Sequence, residues 1–219
     1  MSGLLIAIEG PDGAGRTSQA RALAAWLEHR GREVKLLRLK HSSLARVTLQ
    51  GLQRRMDISE RALFLLYAAD LADLWYAEAE PALAAGKIVL FDRYTLTPRV
   101  RASIHGVDPD WLRDALGFVP MADLTLLLEA PARERLRRLL ARRRFLQPRE
   151  TGALAPTPEL MTHALRYQRR LGRLYAEAGD HAGVVRIDAS RSPQAVQEEA
   201  RRAVQRLLRR RSRREETPS

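Results

Sequence analysis

Residues 10 to 18 read Gly10-Pro11-Asp12-Gly13-Ala14-Gly15-Arg16-Thr17-Ser18. Glycines at this density let successive backbone N–H groups turn inward around a phosphate, and a helix that starts just behind them aims its positive end at the same point. Thr17 adds a hydroxyl suited to ligating Mg²⁺ beside that phosphate. The frame is G-x-x-x-x-G-[K]-[ST], with arginine where the pattern has lysine. Arg16 keeps the charge of a lysine, but it is longer, planar and forked, so the exchange alters geometry as well as reach.

Three other charged residues sit where apolar runs end. Asp92 and Arg93 follow the run Ile88-Val89-Leu90-Phe91, and Arg38 closes the run after Val34. In parallel sheets, ligands gather at the carboxyl ends of strands, so these residues join the glycine loop as one candidate constellation. Other chemistries find no support in the sequence. There is no G-x-S-x-G and no cysteine, and His29, His41, His105, His163 and His181 are scattered without paired metal spacing.

The elements that must position this set are legible from periodicity. The continuous apolar runs at 4–8 and 88–91 read as buried parallel strands, and 34–39, 124–128 and 184–187 read as further strands. Helical spacing marks 17–29 (Ala20, Leu23, Ala24, Leu27) and 60–85 (Leu63, Phe64, Tyr67, Leu71, Leu74), with Pro81 expected to kink or divide the second stretch. Asp108-Pro109-Asp110 is a start signal for 111–116, Pro131 opens a helix ending in Arg142-Arg143-Arg144, and further helices follow from 158 to 178 and from Pro193. Strands alternating with helices imply right-handed βαβ units, and so an α/β fold with a parallel five-stranded sheet and helices on both faces. The expected organisation is one domain over 1–211, with a mobile arginine-containing lid at about 142–157 around Pro148, Gly152 and Pro156 and a disordered tail at 212–219.

The chain has 219 residues and a formal charge of +12. Lysine occurs only at Lys35, Lys40 and Lys87, so the excess is arginine, which suits phosphate-bearing partners but also reflects genome composition or heat adaptation. Nucleic acid is not the expected partner. Aromatics make up 5% of the chain, none interrupts the arginine-rich stretch 201–214, and Ala203, Val204, Leu207 and Leu208 give that stretch an amphipathic helical pattern. The apolar run at the N-terminus ends at Glu9 and lacks a basic lead, so neither a membrane partner nor a signal peptide is expected, and cytoplasmic is the default location.

Taken with their spacing, Ile8-Glu9-Gly10-Pro11-Asp12-Gly13-Ala14-Gly15, Tyr67-Ala68-Ala69-Asp70, Phe91-Asp92-Arg93-Tyr94 and Ile187-Asp188-Ala189 resemble the thymidylate kinase family over nearly the whole chain. The resemblance implies ATP and Mg²⁺, a nucleoside-monophosphate acceptor (dTMP above all) and a homodimer, for which the 60–85 helix is a plausible face. It places the β- and γ-phosphates on Gly10 to Ser18 and the metal on Thr17 and Asp92. Arg93 holds the acceptor's phosphate with help from Arg38, Asp12 lies near the acceptor sugar and phosphate, and Tyr67 stacks on the base. With glycine and alanine at Gly13 and Ala14, which offer no arginine there, a catalytic arginine is expected from the lid, among Arg142, Arg143, Arg144 and Arg149, with Arg144 and Arg149 the candidates. Arg16, Asp92 and Arg93 complete the expected catalytic set.

The sequence departs from the family where the base and sugar sit. Leu71 replaces an arginine, and Pro98 and Arg101 replace a small polar residue and a tyrosine. Arg16 leaves three outcomes open: a working kinase with adjusted geometry, a slow kinase, or a nucleotide binder with little chemistry. A divergent kinase with another acceptor also stays open, including a deoxynucleoside kinase with Glu9 as its base.

Overall fold

A run that is apolar on both faces folds stably only when both faces are covered. In the computed structural model, which describes residues 3–39, 58–143, 145–146, 148–151 and 159–216, such runs form the centre of one parallel sheet of five strands, with two more polar strands at its edges. The five are β1 (Leu4–Glu9), β2 (Val34–Arg38), β3 (Ile88–Asp92), β4 (Leu124–Glu129) and β5 (Val184–Asp188), in the order β2-β3-β1-β4-β5. Every residue of the central β1 is buried, whereas the edge strands β2 and β5 are partly exposed.

Alternation along the strands separates two cores. Leu5, Ala7, Val89 and Phe91 face one side. There they meet α2 (Glu60–Leu74) through Phe64, Tyr67, Ala68, Leu71 and Leu74. Ile6, Ile8, Leu90, Leu126 and Leu128 face the other side. They meet α1 (Arg16–Glu28) and the last helix through Leu23, Leu27, Val196, Ala200 and Val204.

The long stretch after Glu60 breaks earlier than its proline suggested. α2 gives way to a π-helical turn at Trp75–Ala79, then to α3 (Glu80–Ala84) with Pro81 in its first turn. A proline ring collides with the carbonyl four residues upstream, and the wider turn, in which Glu80 N–H reaches Trp75 O, relieves that clash without ending the helix.

α4 (Leu96–Ser103) and α5 (Pro109–Asp114) follow β3, and α6 (Ala132–Arg143) follows β4. Within the expected lid, α7 (Pro148–Thr151) is helical, and Glu150 and Thr151 are buried against α8 (Leu160–Ala178). α9 runs from Pro193 to Glu216, past residue 211, where the domain was expected to end. Arg201 lies over the Trp26 ring at 5.5 Å, and Arg211 donates to Gly3 O at 2.8 Å, so α9 is fastened to the body along most of its length.

Parallel register brings the chemistry to one rim. Arg38 pairs with Asp92, Ile8 with Asp92, Glu9 with Leu127, and Glu129 with Asp188. The glycine loop leaves β1 at that same rim.

Candidate active site

The loop from Gly10 to Gly15 has a shape that glycine alone supplies at two points. Gly10 has φ +136° and its added Cβ would run into the Leu128 carbonyl, while Gly13 has φ +82° and its Cβ would lie 2.6 Å from the Arg135 carbonyl oxygen. The loop is therefore clamped between β4 and α6. Gly15, at φ +91°, is the N-cap of α1; it offers no side-chain cap, and the first turn of α1 holds no acidic residue. An uncapped helix start beside turned-in amides is an anion cradle by construction. Pro11, Asp12 and Ala14 are buried in the loop wall, and Ser18 is exposed at the start of α1.

Two carboxylates organise the charges around this cradle. Asp12 receives Arg16 Nη2 at 3.1 Å on Oδ1, Arg93 Nη2 on the same oxygen and Arg101 Nη2 on Oδ2. Asp92 receives the Thr17 hydroxyl at 2.6 Å and Arg38 Nε at 3.3 Å on Oδ2, with Arg16 Nε 3.9 Å from Oδ1. Arg16 thus lies between the two carboxylates and is only 6% exposed. Burial is the largest single influence on Arg93 and on Arg101 and opposes their charge, but Asp12 together with Tyr175 and other neighbours outweighs it and holds both guanidinium groups above their ordinary pKa.

Arg93 is the one non-glycine residue at positive φ (77°) among the described residues. Such a backbone costs about 1–3 kcal/mol and persists only where its surroundings enforce it. Here the enforcing group is Glu9, 1% exposed at the end of β1. Its carboxylate accepts from Tyr94 N (2.8 Å), Leu96 N (3.0 Å), Thr97 N (3.2 Å) and Thr97 Oγ1 (2.6 Å). The turn after β3, and with it the aim of Arg93, is tied to β1 through this one side chain. These four donors occupy Glu9 as the tether of the turn, which weighs against its use as the base toward a sugar hydroxyl that the deoxynucleoside-kinase alternative needs.

Donors outnumber acceptors here. Arg16 Nε and Nη1, Arg93 Nη1 and Arg101 Nε are buried without a hydrogen-bond partner among the described residues. Each buried donor left unpaired costs roughly 1–3 kcal/mol, so the arrangement is one that an anion stabilises.

The expected residues Gly10 to Ser18, Asp92, Arg93 and Arg38 meet at this rim. Tyr67 lies in the core cluster of α2, 5% exposed and within electrostatic reach of Arg101. Leu71 is fully buried in the same cluster. In the lid, Arg142 is exposed and Arg143 Nη1 pairs with Glu150 Oε1 at 3.0 Å. Arg144 lies outside the described residues, and only the backbone of Arg149 is described.

Sequence reasoning passed over Arg135. It is 2% exposed on α6, donates to Ala130 O and to both the carbonyl and the side chain of Gln168, and burial pushes its pKa down to about 10. Gln168 in turn donates to Glu150 O, so Arg135 joins the wall of the cradle to α7 and α8. The signal was present in the sequence: 132, 135, 136 and 139 share one helical face, and the other three are apolar. A cleft of about 760 Å³ opens beside this joint, lined by Pro11, Arg135, Arg169, Arg173 and Tyr175. A second, of about 360 Å³, lies on the Thr17, Arg38 and Asp92 side.

A parallel sheet ordered 2-3-1-4-5, with a phosphate loop leaving its central strand and an Asp-Arg pair on the neighbouring one, defines a phosphate-binding-loop α/β protein of the nucleotide-kinase class. The family model "Thymidylate kinase" matches residues 8–200, and the chain belongs to that family. It is 30% identical over 205 residues to "Probable thymidylate kinase 2" of Saccharolobus solfataricus, covering 92% of this chain and 95% of that protein. It is also similar to "Probable thymidylate kinase" of Pyrococcus horikoshii, at 38% identity over 148 residues (65% of this chain, 72% of that one). With "Thymidylate kinase" of Clavibacter michiganensis it shares 39% identity over 155 residues, 66% of this chain and 72% of the other.

Proposed function

We propose that the protein transfers the γ-phosphoryl group of ATP to dTMP, giving ADP and dTDP. The observation that carries this reading is the convergence of Arg16, Arg93 and Arg101 on Asp12, one loop-width from the Thr17–Asp92 pair. A positive pocket for an acceptor phosphate thus faces a cradle for a triphosphate.

In the reaction, an oxygen of the dTMP phosphate forms the new bond to the γ-phosphorus while the bond from that phosphorus to the ADP oxygen breaks. No enzyme group is covalently involved, so catalysis is positioning and charge neutralisation. Backbone amides of Gly10 to Thr17 and the Arg16 guanidinium hold the donor; Arg93, with Arg38 at its flank, holds the acceptor. Arg144 and Arg149 are the lid candidates for charge that develops on the γ-phosphoryl oxygens.

The residues present fit Mg²⁺ bound chiefly through phosphate oxygens and water. Thr17 and Asp92 supply a hydroxyl and one carboxylate, and no cluster of three acidic or histidine ligands occurs among the described residues. When bound, Mg²⁺ neutralises charge on the β- and γ-phosphates. Homodimerisation through the face of the 60–85 stretch is part of the proposal, supported by Leu65 on α2 and Tyr76 in the π-helical turn after it, which stand 50% and 55% exposed. A cytoplasmic site of action fits the reaction, and no helix among the described residues is long and apolar enough to cross a membrane.

The test is ADP release with Mg·ATP and a panel of dTMP, dUMP, other monophosphates, thymidine and deoxycytidine. Turnover that requires a monophosphate and is fastest with dTMP is expected. Turnover with a nucleoside and none with any monophosphate overturns the reading.

A further inference from the structure

Resting on the kinase reading above, we infer that Arg101 is a second guanidinium for the acceptor's phosphate and sets selectivity for monophosphorylated over unphosphorylated acceptors. Arg101 projects from α4 to the same carboxylate as Arg93, each taking a different oxygen of Asp12. The two side chains are 11% and 12% exposed. Tyr67, Tyr167 and Tyr175 stand around Arg101 along with Asp12.

Charge balance then decides what the pocket takes. On the acceptor side Arg93 and Arg101 face the single carboxylate of Asp12, and with Arg38 at their flank this leaves two positive charges in excess, Arg16 and Asp92 serving the donor and its metal. A phosphate monoester carries about −1.5 to −2 at pH 7 and offers three acceptor oxygens, so it matches that excess. A sugar hydroxyl offers no charge at all. Two donors are in place for it: Arg93 Nη1 and Arg101 Nε are buried with no hydrogen-bond partner among the described residues. Planar forks make charge-assisted, bidentate contacts to phosphate that a tyrosine, the residue of the family pattern at this position, does not make.

Calorimetric titration of the full chain with dTMP and with thymidine tests this in the parent, Arg101→Gln and Arg101→Lys, with Mg·ATP affinity measured alongside. Arg101→Gln is expected to weaken dTMP binding by roughly tenfold or more while thymidine and Mg·ATP stay within about twofold. Arg101→Lys keeps the charge and loses the fork, so a loss of about threefold, confined to dTMP, is expected. The lysine variant alone decides the matter if the glutamine variant does not fold. Unchanged dTMP affinity, or an equal loss of dTMP and thymidine in either variant, overturns the inference. Absence of ADP release with dTMP in the parent removes the kinase reading instead and leaves this binding comparison readable.

Discussion

Replacing Glu9 by alanine removes the acceptor of four hydrogen bonds at once, three of them from backbone amides and one from the Thr97 hydroxyl. Hydrogen bonds to a charged group contribute about 1.5–3 kcal/mol each, and buried amides left without a partner cost about 1–3 kcal/mol. The gross sum exceeds what single substitutions reach, because relaxation and relief of the buried charge return part of it; a net loss of about 3–5 kcal/mol is expected. For a chain of this size 1 kcal/mol moves Tm by about 2–4 °C, so Tm should fall by roughly 6–20 °C. Denaturant unfolding and a thermal scan read both values. Glu9→Gln keeps the shape and one acceptor oxygen, so a smaller loss of about 1.5–3 kcal/mol is expected, with activity declining alongside stability. Two results refute the reasoning: Glu9→Ala within about 1 kcal/mol of the parent, or Glu9→Gln abolishing turnover at unchanged stability, which would make the carboxylate a chemical group after all.

Other substitutions probe the cradle and its supports. Gly13→Ala, with its Cβ 2.6 Å from the Arg135 carbonyl, should lose Mg·ATP binding as well as stability. Gly15→Ala, with nothing within 4 Å of its Cβ, should cost only the positive-φ penalty of about 1–2 kcal/mol; thermal shift with and without Mg·ATP separates the two. Thr17→Ala should weaken Mg·ATP by roughly tenfold or more while Thr17→Ser stays near the parent, since the hydroxyl is the working group; equal losses in both would point to packing. Hydrogen bonding from Arg137, and then Arg138, pulls Glu134 down to about 2 despite opposing desolvation. A carboxylate lowered in the folded state stabilises above its ordinary value of 4.5 and loses that contribution as pH falls through about 2. Glu134→Gln should therefore melt slightly below the parent at pH 7, with the gap closing as pH drops from 4.5 toward 2; a gap independent of pH contradicts the pairing.

Much of the architecture was legible in the sequence because both signals are local. The runs at 4–8 and 88–91 are continuous, which marks strands covered on both faces, the other three strands are predominantly apolar, and Gly10, Gly13 and Gly15 fall between a strand and a helix start. Asp92 and Arg93 could be placed at the rim because they end such a run. What escaped depends on contacts between distant segments. Glu9 sits beside the glycine loop, yet its partners lie 85 to 88 residues away. Arg101 reads in sequence as a substitution for a pocket residue, and only the fold brings it to Asp12, 89 residues distant. α4 is not marked in the sequence, where Pro98 enters only as a departure from the family pocket; it falls in the first turn of that helix, where its missing N–H costs nothing. The end of α9 was set too early because a run of arginines reads as solvated tail, whereas contacts such as Arg211 on Gly3 hold it against the body.

The account rests most heavily on the amides of Gly10 to Thr17 and the Arg16 guanidinium acting together as a triphosphate cradle. Calorimetric titration of the parent and Arg16→Lys with Mg·ATP examines that directly. One saturable site in the parent, kept or tightened in Arg16→Lys because lysine supplies the same charge to the same phosphates, is predicted. No heat and no thermal shift in either protein would contradict it.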